Sequence, residues 1–191
     1  MKRGWQWGAM LLLLAGLAGG PARDAAAIDR GWYLNGGIGA NHLDVESSIR
    51  TEPDLGFRFV AAGGFQFNRN LGLELDTGYI YNTYSKSRLA NQRDNPLRQV
   101  PLVLTGVYSL TNWSRVEPYG GVGVGMMWMS YGEKSSGGDA VLAFKGGARY
   151  LFSDRLGLGA DYTFFMLGAT SAFVEEPVGA DTMNLTLHWM F

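Results

Sequence analysis

The sequence predicts an all-β fold: an eight-stranded antiparallel transmembrane β-barrel, wound as an up-and-down meander after a cleaved signal peptide. Three observations carry this. The last stretch, residues 179–191, reads GADTMNLTLHWMF, with Met183, Leu185, Leu187, Trp189 and Phe191 alternating against Thr182, Asn184, Thr186 and His188. A period of two is the mark of a strand. Seven earlier stretches repeat it, at 31–43, 56–68, 71–84, 97–110, 116–131, 138–153 and 156–168. The connections then alternate in length, with tight turns at 68–70, 111–115 and 153–155 and longer polar loops at 44–55, 85–96, 132–137 and 169–178. Turns on one side and loops on the other are the habit of membrane barrels, with the turns in the periplasm.

Composition narrows the class further. Charged residues are 17% of the 191, aromatics 13%, and Gly numbers 28. That mix suits short strands and an apolar surface, and it argues against a soluble α/β enzyme and against disorder. Cys is absent, which excludes a disulfide framework and thiolate chemistry. The leader, residues 1–27, carries Lys2 and Arg3, an apolar run AMLLLLAGLAGG, and Ala25, Ala26 and Ala27 at a cleavage site. It reads as a secretory signal peptide, too short in its apolar core to span a bilayer. The barrel domain is expected over 28–191. Without the leader the net charge is about −3, and nothing suggests a nucleic-acid partner.

Each strand offers one apolar and one polar face. The second sets Phe57, Phe59, Ala61, Phe65 and Phe67 against Arg58, Gln66 and Asn68; the third sets Leu71, Leu73, Leu75, Tyr79 and Tyr81 against Glu74, Asp76 and Asn82. In the sixth, Leu142, Phe144, Ala148, Tyr150 and Phe152 oppose Lys145 and Arg149, and in the seventh Leu158, Ala160, Tyr162 and Phe164 oppose Asp161 and Thr163. The fourth is apolar on both faces from Val100 to Val107 and contains Pro101, so its facing stays open.

A soluble barrel turns its apolar face inward. Here the assignment is inverted, because an eight-stranded interior has room only for side chains that fill it, and the large apolar set is too bulky for that space. The fifth strand shows the consequence: Gly121, Gly123 and Gly125 share the inner face, and Val122, Val124, Met126 and Trp128 the outer. The glycines are expected to make room for side chains crossing from opposite strands. Such a GxGxG run opens no helix, which argues against a phosphate loop. The outward rings form two belts. Trp32, Phe65, Phe67, Tyr108, Tyr150, Phe152, Trp189 and Phe191 fall at the turn end, and Phe57, Tyr79, Tyr81 and Trp128 at the loop end.

The segments GWYLNGGIGA, VPLVLTGVY, EPYGGVGVG and LTLHWMF make the chain resemble the small eight-stranded outer membrane barrels of the OmpA/OmpX type, grouped as the outer membrane protein beta-barrel domain. The resemblance covers the whole mature chain and is to the barrel-only members. It implies a bacterial outer membrane location, and it implies that Leu187, Trp189 and Phe191 are an insertion signal read by the barrel assembly machinery. Its motifs are architectural, so activity must be argued from a site.

Three places offer chemistry. Glu74, Asp76, Glu117, Lys145, Arg149, Asp161 and His188 are expected to meet in the lumen as an ionic plug, since unpaired buried charges cost several kcal/mol; the alternative is a narrow channel with an ion path through the same groups. His42, Glu46 and Ser47 or Ser48 offer the residue types of a lipid A hydrolase, the second alternative, but without a His-x-Ser arrangement. In the loops, Asp44, Glu46, Glu52 and Asp54 face the basic set Lys86, Arg88 and Arg93, which offers a contact to lipopolysaccharide phosphates. No His pair has metal-ligand spacing, and no cofactor is expected. The reading is a structural or surface-interacting protein without catalysis, acting through its loops on a surface ligand the sequence does not name.

Overall fold

The computed structural model describes residues 31–44, 56–82, 96–110, 115–131, 134–167 and 179–191. Within them lie eight strands: β1 (Gly31–Asp44), β2 (Gly56–Gln66), β3 (Leu71–Asn82), β4 (Leu97–Ser109), β5 (Val116–Tyr131), β6 (Lys134–Leu151), β7 (Leu156–Leu167) and β8 (Gly179–Met190). They close in sequence order, with β8 pairing antiparallel to β1 from Tyr33↔Met190 to Asp44↔Gly179. The end of the chain is tied in as well: Phe191 N–H donates to Trp32 O at 3.0 Å and Met190 N–H to Arg155 O at 2.8 Å. Closure leaves no open edge, which hydrocarbon requires. No helix among the described residues is long and apolar enough to cross a membrane. Residues 1–27, expected to be a leader, lie outside the described residues.

Strands end where side chains take over the hydrogen bonds of the backbone. Asn68 Oδ1 accepts from the N–H groups of Asn70 and Leu71 at 2.9 and 2.8 Å, and Ser153 Oγ accepts from those of Arg155 and Leu156 at 3.3 and 3.1 Å. These are Asx and Ser turns. One expected loop is instead strand: β6 starts at Lys134, four residues before the expected 138, and pairs through Ser130↔Ser135 to Tyr131↔Lys134 after a register shift beyond Trp128. The polarity of Lys134, Ser135 and Ser136 hid it, because a hairpin that rises past the apolar belt no longer needs an apolar face.

The inverted facing holds. Ile38, Leu185, Val124 and Trp189 are outward and exposed on the wall, while Arg58, Glu74, Lys145 and Asp161 are buried within it. A soluble protein would not expose such a belt. The outer rings pair at the turn end, with Trp32–Phe65 at 5.0 Å, Tyr150–Phe152 at 5.3 Å and Trp189–Phe191 at 5.5 Å, and at the loop end, with Phe57–Tyr81 at 5.4 Å. An Arg in place of Leu185, halfway along β8, is expected to cost about 2–4 kcal/mol in a bilayer. Urea titration in lipid vesicles measures it, and a cost near zero would contradict the lipid-facing assignment.

β4 settles into the alternation as well. Gln99, Pro101, Val103, Thr105, Val107 and Ser109 point inward and Val100, Leu102, Leu104 and Tyr108 outward. Pro101 has no N–H, and the β3–β4 ladder skips there, running from Thr77↔Leu102 to Ile80↔Gln99. Thr77 Oγ1 donates to Pro101 O at 2.9 Å in compensation.

Two expectations about the lumen are corrected. The inner face is not closed to bulk: Tyr33, Ile80, Met127, Phe165 and Leu167 all point inward and are buried. Nor do the β5 glycines admit side chains from opposite strands. A Cβ on Gly121 would meet Thr105 Cγ2 at 2.9 Å, one on Gly123 Val103 Cγ1 at 2.7 Å, and one on Gly125 Val103 Cα at 2.7 Å. The occupant is the adjacent β4, whose β-branched inner row leans across the glycine track.

Candidate functional site: a two-storey lumen

The lumen is divided by height. At the loop end Ile80, Val103, Met127, Val141, Ala143, Phe165, Leu167 and Ala180 pack into one apolar cluster. Nearer the turn end, where each strand brings a polar residue to its inner face, lies a continuous network of charges and hydrogen bonds.

Lys145 of β6 reaches across to β3, with Nζ 2.6 Å from Glu74 Oε1 and 3.2 Å from Asp76 Oδ2. Its register partner on β5 is Gly121. Arg58 binds the other oxygen of Asp76 at 2.5 Å, donates to Thr182 Oγ1 at 3.0 Å, and lays its guanidinium 4.9 Å from the centre of the Phe165 ring. Arg58 therefore joins the two storeys: it is an ion-pair partner below and a cation over an aromatic face above.

Arg149 organises the turn end. Its Nε lies 3.3 Å from Glu117 Oε2, an ion pair without hydrogen-bond alignment, and its Nη2 donates to Ser109 Oγ at 2.8 Å. The same guanidinium lies 5.0 Å from the centre of the Tyr119 ring. Asn35 donates through Nδ2 to Glu74 at 2.6 Å, so its Oδ1 accepts from His188 Nδ1 at 2.7 Å. Arg149 Nη1 lies over the same ring edge, 3.1 Å from Nδ1 and 3.4 Å from Nε2. Asp161 is held by neutral donors: Asn184 Nδ2 at 2.7 Å, Tyr119 OH at 3.1 Å and Thr163 Oγ1 at 3.3 Å. The gap enclosed among Tyr33, Asn35, Glu74, Tyr119, Arg149 and His188 is about 10 Å³, at the lower limit for one water.

The structure thus places all seven of the lumen residues singled out from sequence, Glu74, Asp76, Glu117, Lys145, Arg149, Asp161 and His188, in the network. It adds Arg58, Asn35, Tyr33, Ser109 and Tyr119. Arg58 lies on the predicted inner face near the loop end, and its long stem carries the guanidinium down to the network. Tyr33 fits because its register partner is Gly64, where an added Cβ would strike the ring.

Elsewhere the structure offers little chemistry. A concavity of about 1040 Å³ is lined largely by Ile38, Phe57, Phe59, Tyr162, Met183 and Leu185, whose side chains belong to the lipid-facing wall, so it is no aqueous pocket. No group of three His, Asp or Glu suited to a metal ion occurs among the described residues. His42 is exposed near the loop end, with Asp181 as its cross-strand partner. Glu46, Ser47, Ser48, Lys86, Arg88 and Arg93 lie outside the described residues.

A family model described as outer membrane protein beta-barrel domain matches residues 10–191. No curated protein sequence matches. Among solved structures, the chain is similar to Neisserial surface protein A, at 18% identity and a TM-score of 0.67 over 84% of this chain and 97% of that one. It is also similar to OprG from Pseudomonas aeruginosa, at 16% and 0.60 over 85% and 97%. Ail, the attachment invasion locus protein of Yersinia pestis, solved with the heparin analogue sucrose octasulfate, gives 14% and 0.59 over 86% and 100%.

Proposed function

Since the chain belongs to the outer membrane protein beta-barrel domain family, we propose that this outer membrane barrel works by what its loops touch, not by what its lumen passes or transforms. The observation that carries the reading is the packed interior of the described residues: an apolar storey above an ionic one, with a gap of about one water inside the ionic storey. A rigid scaffold bearing polar loops is a common way to build a recognition surface. Ail, named for attachment and solved with a polyanion analogue, has the same scaffold.

The partners follow from chemistry. Lys86, Arg88 and Arg93 suit lipopolysaccharide phosphates, and Arg98, outward and exposed between Tyr81 and Ser130 at the loop end, extends the same basic set down to the headgroup level. Leu187, Trp189 and Phe191 suit recognition by the barrel assembly machinery during insertion. No cofactor and no reaction are assigned.

Purified protein in a planar bilayer is expected to give no stable conducting state, and a large, lasting conductance would overturn the reading in favour of a channel. Mass spectrometry of lipid A from cells with and without the protein is expected to show one profile; a lost or gained acyl chain would instead identify a lipid A enzyme. Surface binding of cells carrying the protein should fall when the loops are replaced by short turns and survive when the lumen is altered.

A further inference from the structure

The turn end carries a feature that the loop-based function leaves unused. Each of the three tight connections holds one arginine: Arg69 between β2 and β3, Arg115 between β4 and β5, and Arg155 between β6 and β7. All three are exposed, in contrast to Arg58 and Arg149, which are buried in the lumen. They therefore recur at alternate strand junctions around one rim. The remaining junction at that rim, β8 with β1, is where Phe191 is tied to Trp32.

Their depth is set by their neighbours. The last outward ring before each turn is Phe67, Tyr108 or Phe152, each with about half of its surface exposed. Aromatic belts lie at the boundary between hydrocarbon and headgroups, so an arginine a few residues beyond stands among the headgroups themselves. The Asn68 and Ser153 side chains hydrogen-bond the backbone of two of the turns. Among the described residues an opposing charge at this rim is Asp154, exposed beside Arg155.

We propose that Arg69, Arg115 and Arg155 form a ring that binds the phosphates of anionic phospholipid, of the phosphatidylglycerol class, in the leaflet adjoining the turns. A planar guanidinium engages two phosphate oxygens at once. Basic residues at an anionic surface gain from each neighbouring charge, an effect that salt screens. Together with the aromatic belt the ring fixes the height of the barrel in the membrane.

The test uses the full chain in phosphatidylcholine vesicles carrying a trace of spin-labelled phosphatidylglycerol or, in a parallel set, spin-labelled phosphatidylcholine. Spin resonance of the immobilised lipid gives the preference. The wild type is expected to favour phosphatidylglycerol about threefold or more at low salt and to lose the preference near about 1 M salt. The variant R69Q/R115Q/R155Q is expected to show a clearly diminished preference, the remainder belonging to the basic set at the other rim. A triple variant with undiminished preference, or a preference indifferent to salt, overturns the proposal. If the triple variant does not insert, the three single variants decide, each expected to lose part of the preference and together overturning the proposal if none does. Excess inorganic phosphate at matched ionic strength is expected to leave the preference in place; if it abolishes it, the ring is a site for soluble anions and the lipid assignment fails.

Discussion

Replacing Lys145 by methionine is expected to lower folding stability by about 3–5 kcal/mol, the cost of stranding a buried charge. The stranded group is Glu74. Asp76 keeps Arg58 at 2.5 Å, whereas Glu74 keeps only neutral donors, the Asn35 amide at 2.6 Å and the Tyr33 hydroxyl, and it is almost fully buried. The double variant K145M/E74Q removes both charges and is expected to recover most of the loss, because a well-packed neutral replacement of a buried ion pair is often nearly neutral in free energy. Urea titration in vesicles, followed by tryptophan fluorescence, reads both. Equal losses in the single and double variants would mean that the volume of Lys145, not its charge, holds the lumen.

The second large effect belongs to the upper storey. Phe165→Ala should cost about 3–5 kcal/mol, as large-to-small changes at enclosed aromatic sites do. The ring is 1% exposed and supports the Arg58 guanidinium, so its loss opens a void and removes a cation–aromatic contact together. Phe164, the preceding residue, points to lipid. There acyl chains refill the space and the same truncation should cost about 1 kcal/mol or less. The contrast between adjacent phenylalanines tests the facing of β7 directly. If Phe165→Ala also yields ion conductance absent from the wild type, the apolar storey is the seal; if it does not, the ionic storey seals the barrel alone.

The wall was legible in the sequence because lipid imposes one rule on every outward position, and a period of two exposes it. The interior was harder to read. Its inward positions obey local volume, so Gly64 admits Tyr33 and Gly123 admits Val103 and Thr105, pairs that emerge only from register. A narrow lumen excludes rows of large side chains but not a single one such as Phe165, set beside Ala143 and Ala180. The charge of Arg58 acts far from its Cα. The β6 start was missed because above the apolar belt a strand loses the alternation that marks it. The candidate site was therefore readable as a set of charges and unreadable as a set of partners, since Lys145 and Glu74 are far apart in the chain.

The seam between β1 and β8 constrains how such a chain is made. Its register runs from Tyr33↔Met190 to Asp44↔Gly179, as continuous a ladder as its neighbours. β1 therefore waits for β8, and the closed state shown here needs both. Contacts this distant in sequence form slowly. During that wait the whole outward belt, including the aromatic rings at both rims, is without its lipid and prone to aggregate. The delay is a property of the topology, so a substitution that strengthens the lumen slows unfolding without shortening it. Whatever escorts the chain to the membrane must hold β1 until β8 has been made.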